Sequence, residues 1–276
     1  MAKRISRVEI LSRLNKVRAS GKPIIGAGAS AGIVAKCAEL GGADLLIIYS
    51  TGKSRLMGLP TSRIGDSNAI TRDMLVEISN VTKDVPLIAG VEATDPTRLD
   101  LDRLLDQFIE CDTSGVINFP TVLMMPGYAE KREMVGLGFS REVELIRVAR
   151  RKDLFTLSYV FEPEQATRMV DAGCDCVCAH VGVTKGGLVP VRDDRAPEEL
   201  ARPVQAIIDA ARKANPNVIC VAHGGGYSLP EDTHSLYQKT TAEGFIGASS
   251  IERIPVERAI IGVVEEFKAI SMGAAR

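Results

Sequence analysis

Two of the three histidines in this chain stand at the ends of β-forming runs. His180 closes "CDCVCAH" and His223 closes "NVICVAH". An imidazole exchanges a proton near neutral pH and ligates divalent metals, so a pair at matching strand ends is a candidate for acid/base or metal chemistry. Glu92 ends a third such run, "PLIAGVE". A carboxylate there can abstract a proton or hold a hard cation through oxygen. Glycine-rich turns accompany these groups: "HGGGYS" after His223, "GASSIER" from residue 247 and "GAGASAG" from residue 26. Glycine lets backbone N–H groups come close to an anion.

One familiar chemistry is excluded by chain order. Gly28, Ser30 and Gly32 spell G-x-S-x-G, and HGGG resembles the oxyanion loop of esterases. In a serine hydrolase of that fold the HGGG-type loop precedes the nucleophile elbow. Here it follows by almost the whole chain, with no acidic partner in the expected order. Ser30 is better read as the N-cap of the first helix after a strand.

Positioning these groups requires strands that end together. Eight short, nearly continuous apolar runs alternate with amphipathic helical stretches. They lie near 22–28, 43–50, 86–93, 115–120, 154–161, 174–182, 217–225 and 244–250. Strands buried on both faces read this way, and several of the helical stretches stop at glycine. The pattern predicts an α/β fold: one (β/α)8 TIM barrel over residues 21–270 behind an exposed N-terminal helix over 1–20, as a single domain over 1–276. Active sites of such barrels lie where strands end and βα-loops begin. Alternation puts Ile88, Gly90 and Glu92 on one face, and likewise Cys176, Cys178 and His180, and Ile219, Val221 and His223.

The same logic selects the anion-binding candidates. Loops after strands seven and eight often cradle phosphate, which singles out Gly224, Gly225, Ser249, Ser250 and Arg253. The loop "GVTKGGLVPVRDDRAP" carries Lys185 and is long enough to act as a lid. The loop "YSTGKSRLMGLPTSRIGD" contains GKS, but residue 47 is isoleucine where a P-loop needs glycine. It still offers Ser50, Lys53 and Arg55 to a substrate. Gly28 and Asn118, at the ends of strands one and four, complete the set. The loop "FPTVLMMPGYAEKREMVGLGFS" reads as a cover or subunit contact. Asp66 reads as an N-cap, Asp95 as turn chemistry, Glu162 as the start of a helix and His234 as surface.

Composition narrows the partners. A formal net charge of -1 gives no electrostatic reason to bind nucleic acid or a membrane surface. Aromatic residues make up only 4% and tryptophan is absent, which argues against a base-stacking platform. There is no transmembrane run or apolar signal core. The C-x-C-x-C run at Cys174, Cys176 and Cys178 is not a zinc-ribbon spacing and suits buried thiols in a reducing cytoplasm.

Taken together, "GAGASAG", "YSTGKSRLMGLP", "GVEATDP", "GVINFPTV", "AHVGVTKGG", "HGGG" and "GASSIERIP" resemble the phosphoenolpyruvate hydrolase-like family, whose members are also described as TIM-barrel signal transduction proteins. The likeness spans nearly the whole chain and implies a TIM barrel near the phosphoenolpyruvate mutase and isocitrate lyase group. That group holds Mg²⁺ on strand-end carboxylates beside a phosphonate or carboxylate pocket. In this sequence Glu92 alone stands in such a place, and the group's paired aspartates and lysine–cysteine catalytic loop have no counterpart. His180 and His223 are then the further ligands expected for a divalent metal, Mg²⁺ or Zn²⁺. No nucleotide cofactor is expected.

The resulting expectation is a cytoplasmic, self-associating enzyme of lyase or hydrolase type. It acts on a small anionic metabolite, phosphoenolpyruvate-like, an α-keto acid or a phosphorylated compound. Glu92, His180 and His223 are its acid/base groups or metal ligands. A metabolite-sensing signal transduction barrel without turnover is the alternative.

Overall fold

Eight parallel strands close in chain order into a barrel in a computed structural model, which describes residues 2–189, 191 and 195–272. They are β1 (Ile24–Gly28), β2 (Leu45–Ile48), β3 (Leu87–Gly90), β4 (Gly115–Ile117), β5 (Phe155–Val160), β6 (Cys176–His180), β7 (Ile219–His223) and β8 (Gly244–Gly247). β1 pairs with β8 to complete the ring. Each strand lies within its predicted run and is shorter than it, so Glu92, Ser249 and Ser250 stand just beyond strand ends.

Alternation sorts the side chains as the barrel geometry requires. Ile24, Ile47, Ile88, Ile117, Leu157, Cys178, Val221 and Ile246 pack together inside. Their outward neighbours, such as Leu46, Ala89, Val116, Val177 and Ala222, pack against the helices. Cys176 and Cys178 face inward, whereas Cys174 precedes the strand and joins the helix layer. The three thiols therefore do not share one face.

The N-terminal helix departs from expectation. α1 (Arg7–Ala19) is not merely an exposed leader: Ile10 and Leu14 are fully buried with Ile24 and Leu45 at the base of the barrel. Arg7 fastens it to the base of the β6 strand through Asp175, with Nη2 2.6 Å from Oδ1. A plug at the base leaves the opposite end, where the strands terminate, as the open one.

Two loops at that end contain helices of their own. The loop after β2 holds α3 (Thr51–Leu56), and α2 (Gly32–Leu40) precedes that strand. The loop after β4 carries a 3-10 turn at Val122–Met124 and then α6 (Pro126–Met134). The covering layer comprises α4 (Ser67–Ser79), α5 (Leu101–Ile109), α7 (Phe139–Arg151), α8 (Pro163–Asp171), α9 (Pro197–Ala214), α10 (Thr233–Lys239) and α11 (Ile254–Ala269). Asp66 caps α4 by accepting from Ala69 N–H, and Glu162 opens α8 in a capping box, both as the sequence suggests. No described helix is long and apolar enough to cross a membrane.

Candidate active site at the barrel mouth

At the β8–β1 edge, β8 runs into a π-type turn at Ser249–Arg253 that brings Glu252 back over β1. Its Oε2 accepts the Ser30 hydroxyl at 2.5 Å, and its Oε1 accepts Arg55 Nε at 2.9 Å and also Arg55 Nη2. The Arg55 guanidinium lies 5.5 Å from the centre of the Tyr49 ring. All of these groups are buried. Gly52 is required here by close approach, because a Cβ on it would collide with Ser30 Oγ. Ser30 is therefore not a helix cap: α2 begins after Ala31 without a side-chain cap, and the serine hydroxyl is committed to Glu252. Gly28 is small because the Ala248 backbone and Glu252 crowd it, which is packing and not ligand contact.

The ends of β2, β3 and β4 surround a pocket of about 660 Å³. Its wall includes Thr51, Arg63, Glu92, Phe119, Tyr128 and Arg132. Arg63 Nε meets both Glu92 oxygens, at 2.8 and 2.9 Å. Asn68 fixes the Glu92 backbone: its amide donates to the Glu92 carbonyl and its Oδ1 accepts Glu92 N–H. Arg132 bonds the Thr94 carbonyl through Nη2, and its plane lies 5.6 Å from the Tyr128 ring centre. Two polar groups in this wall are buried without a partner, Thr51 Oγ1 and Arg132 Nε. Both atoms are shut off from the cavity, so they belong to the packing of its wall.

The histidine pair occupies the β6–β7 side. His180 and His223 are paired in register, with ring centres 4.7 Å apart. Tyr159 sits 5.0 Å from each of them and 5.4 Å from Phe119, so an aromatic layer separates the imidazoles from the pocket. Burial pushes His223 down to about 4, and burial, reinforced by His223, pushes His180 well below the usual imidazole range. Both rings are neutral at pH 7. Their tautomers differ: His180 Nδ1 accepts Gly182 N–H at 3.1 Å, and His223 Nδ1 lies 2.6 Å from the Ile246 carbonyl. The first bond leaves a proton on His180 Nε2, and the second leaves a lone pair on His223 Nε2.

One N–H of the expected anion cradle is taken up internally. Gly225 N–H donates to the Gly182 carbonyl, and Lys185 N–H donates to the Gly225 carbonyl. Gly224 has φ 86°, and a Cβ there would strike the Gly182 carbonyl. These glycines knit the loop after β7 to the loop after β6. Lys185 Nζ meets the Arg195 carbonyl at 3.3 Å. Arg253 pairs with Glu257 at 2.8 Å and donates to the Gly186 carbonyl, strapping the same loop to α11. Of the lid segment, positions 190 and 192–194 lie outside the described residues. Ser249 is buried in the π-type turn, and Ser250 Oγ is buried without a partner. Ser50 is fully buried with an unpartnered Oγ, while Lys53 is exposed on the outer side of α3, the inward cation being Arg55. Asn118 points away from the mouth: it donates to Glu142 at 2.7 Å and to the Tyr159 carbonyl, and accepts Tyr159 N–H. His234 is exposed on α10 and Asp95 turns back on Thr97, as expected.

The residues do not form an all-protein site for a divalent metal. Three carboxylates at the mouth are held by arginines: Glu92 has Arg63, Glu252 has Arg55 and Asp95 has Arg98. The proton left on His180 Nε2 blocks that nitrogen as a ligand. Among the described residues no three His, Cys, Asp or Glu side chains gather as a metal site, so Glu92, His180 and His223 do not form the three-ligand set expected from the sequence.

Several groups here escaped the sequence reading. Arg132 sits in "EKREM" among other charges, with nothing to mark it as inward. Glu252 adjoins the noticed Arg253, but only the π-type turn decides which of the two faces the barrel. Thr51, Tyr159 and Glu142 have no motif around them.

Comparison with known proteins agrees with this architecture. Two tomato (Solanum lycopersicum) proteins, ToMV susceptible protein tm-1(GCR26) and ToMV resistance protein Tm-1(GCR237), are each 42% identical over 275 residues. The match covers 96% of this chain but only 36% of theirs, so the chain spans about a third of the length of these curated relatives. Among solved structures, a phosphonopyruvate hydrolase complex with oxalate and Mg²⁺ superposes with a TM-score of 0.61 at 17% identity, covering 94% of this chain and 86% of that one. A 2,3-dimethylmalate lyase of the PEP mutase/isocitrate lyase superfamily gives 0.62 at 15% identity, covering 99% and 90%. At such identity the likeness is one of fold. Residues 9–270 match the family model described as phosphoenolpyruvate hydrolase-like, and on that match the chain belongs to the phosphoenolpyruvate hydrolase-like family.

Proposed function

We propose that this chain is an enzyme of lyase or hydrolase type that acts on a small anion, phosphoenolpyruvate-like or an α-keto acid, at the open end of the barrel. The observation that carries this reading is the pocket at the β2–β4 ends, with Arg63 and Arg132 in its wall beside Glu92. A substrate carboxylate pairs with the half-exposed Arg63 guanidinium, and Arg132 adds charge. Developing enolate or oxyanion charge is then stabilised by donors already in place. Glu92 is the acid/base group of this pocket. Substrate that displaces Arg63 from it frees a carboxylate held at fixed depth by Asn68.

The test is product analysis with pyruvate-derived and C4 keto acids, phosphoenolpyruvate and phosphonopyruvate, with and without added Mg²⁺ or Zn²⁺. We expect turnover that falls at least 100-fold in Glu92→Gln and in Arg132→Ala. Turnover unchanged in both variants refutes the assignment. Calorimetric binding of the same anions without any product establishes the alternative, a metabolite sensor.

We further propose a cytoplasmic homo-oligomer. Six free cysteines, four of them buried, suit a reducing compartment. α11 leaves Ile260, Ile261, Val264 and Phe267 between 43% and 70% exposed. Beside its start lies an apolar groove lined by Ile33, Val34 and Val256, over Ile25 and Ala27 of β1. A second copy is the fitting occupant, since each copy has both the helix and the groove. Reciprocal docking of a helix ~24 Å long covers on the order of 800 Å² per protomer, the size of a standard stable interface. Light scattering should give a multiple of 29.6 kDa, reduced to the monomer in Phe267→Glu. A monomeric parent protein refutes this.

A further inference from the structure

The pocket at the β2–β4 ends is far roomier than a three-carbon acid needs. Its volume is about 660 Å³. A pyruvate ion has about six non-hydrogen atoms, and at ~30 Å³ each, the share of a water molecule in the liquid, it fills roughly a quarter of that space.

The charge of the wall limits what else can enter. Among the lining residues only Arg63, Arg132 and Glu92 are charged. Two guanidiniums and one carboxylate leave a single positive charge, which matches one carboxylate group of a ligand. Phosphoenolpyruvate brings a phosphate as well, and a second anionic group would lose its water with no cation to meet it.

Much of the remaining wall suits an apolar body. The loop after β4 supplies Phe119, Val122, Met124 and Met125, and α6 adds Tyr128. Phe119 is nearly buried, and its ring is backed by Tyr49 at 4.6 Å and by Tyr159 at 5.4 Å, so it is a fixed surface. Met125 and Tyr128 are 57% and 48% exposed, which leaves apolar area that a ligand would cover. Rings pack on rings by face or edge, and a thioether sits favourably at a ring edge.

We propose that this pocket selects a monoanionic 2-oxo acid that carries an aryl side chain. The carboxylate pairs with Arg63, Arg132 adds charge, and the ring lies among Phe119, Met124, Met125 and Tyr128. The 2-oxo acid part rests on the reading of this pocket as the ligand site. Phenylpyruvate, with about twelve non-hydrogen atoms, fills roughly half of the volume by the same measure.

Calorimetric titration of the protein with pyruvate, phenylpyruvate and phosphoenolpyruvate at one ionic strength tests this. Phenylpyruvate should bind at least tenfold tighter than either of the others, because a single methylene in an apolar pocket is already worth about tenfold. Met125→Gln changes a half-exposed side chain and should narrow the phenylpyruvate-to-pyruvate ratio at least threefold. Arg63→Ala should weaken both keto acids alike and leave their ratio standing. Pyruvate or phosphoenolpyruvate that binds as tightly as phenylpyruvate, or a ratio unmoved by Met125→Gln, overturns the aryl assignment and leaves the pocket as an anion site. An aryl preference with affinities untouched by Arg63→Ala places the acid elsewhere and overturns both readings. Binding of none of the three removes the pocket as the ligand site, and the proposal with it.

Discussion

The barrel mouth carries two arginine–carboxylate pairs of the same chemistry in opposite surroundings. In Arg55–Glu252 the side chains are 3% and 0% exposed, and Ser30, Gly52 and Tyr49 close around them. In Arg63–Glu92 the arginine is 54% exposed at the rim of a cavity. Burial decides what each pair can do. The first cannot separate without stranding a charge in a dry interior, so it behaves as framework. The second gains little from its own attraction in water, so a ligand can take one member away at small cost.

This contrast can be broken by substitution. Glu252→Ala leaves Arg55 buried and unpaired and should cost ~3–5 kcal/mol in urea unfolding. A loss below about 1 kcal/mol would mean that the mouth rearranges freely, and the distinction fails. His223 tests the framework side by pH. Its folded value of about 4 lies below the ordinary 6.5, so the unfolded chain takes up the proton first as pH falls. The stability it contributes is full above 6.5 and is lost as pH drops toward 4, by roughly 3 kcal/mol. His223→Asn should flatten that part of the curve, and an unchanged slope refutes the neutral buried imidazole. Glu142 acts in the opposite sense. Its raised value makes stability greatest below 4.5 and lowers it as pH rises to about 7, so Glu142→Gln should steepen the acid-side rise. Gly52→Ala drives a methyl group into Ser30 Oγ and should cost ~1–3 kcal/mol. Arg63→Ala should change stability by less than about 1 kcal/mol while weakening oxalate binding at least tenfold by calorimetry. The reverse result would exchange the roles of the two pairs.

The framework was far more legible in the sequence than the site. Apolar runs such as "ADLLIIYS" and "NVICVAH" declare buried parallel strands, because no other element needs so many consecutive apolar residues at that length. Strand alternation then placed His180 and His223 correctly on the inner face, two residues beyond Cys178 and Val221. It failed for Asn118, whose neighbours Ile117 and Phe119 are the inward ones. Loop residues obey no period. Lys53 and Arg55 are two residues apart on α3, and helical rotation sends one to solvent and the other to Glu252. The glycines of "HGGG" were read as anion donors, yet Gly225 gives its N–H to Gly182 in a neighbouring loop, and sequence carries no record of which loops touch.

The opposed tautomers of His180 and His223 give the mouth a direction. A hydroxyl meeting both Nε2 atoms would receive a hydrogen bond from the first ring and give one to the second. Reversing that order would require moving Gly182 N–H or the Ile246 carbonyl, and both are main chain. The sense of any proton relay here is thus stored in backbone atoms, out of reach of ordinary side-chain mutation.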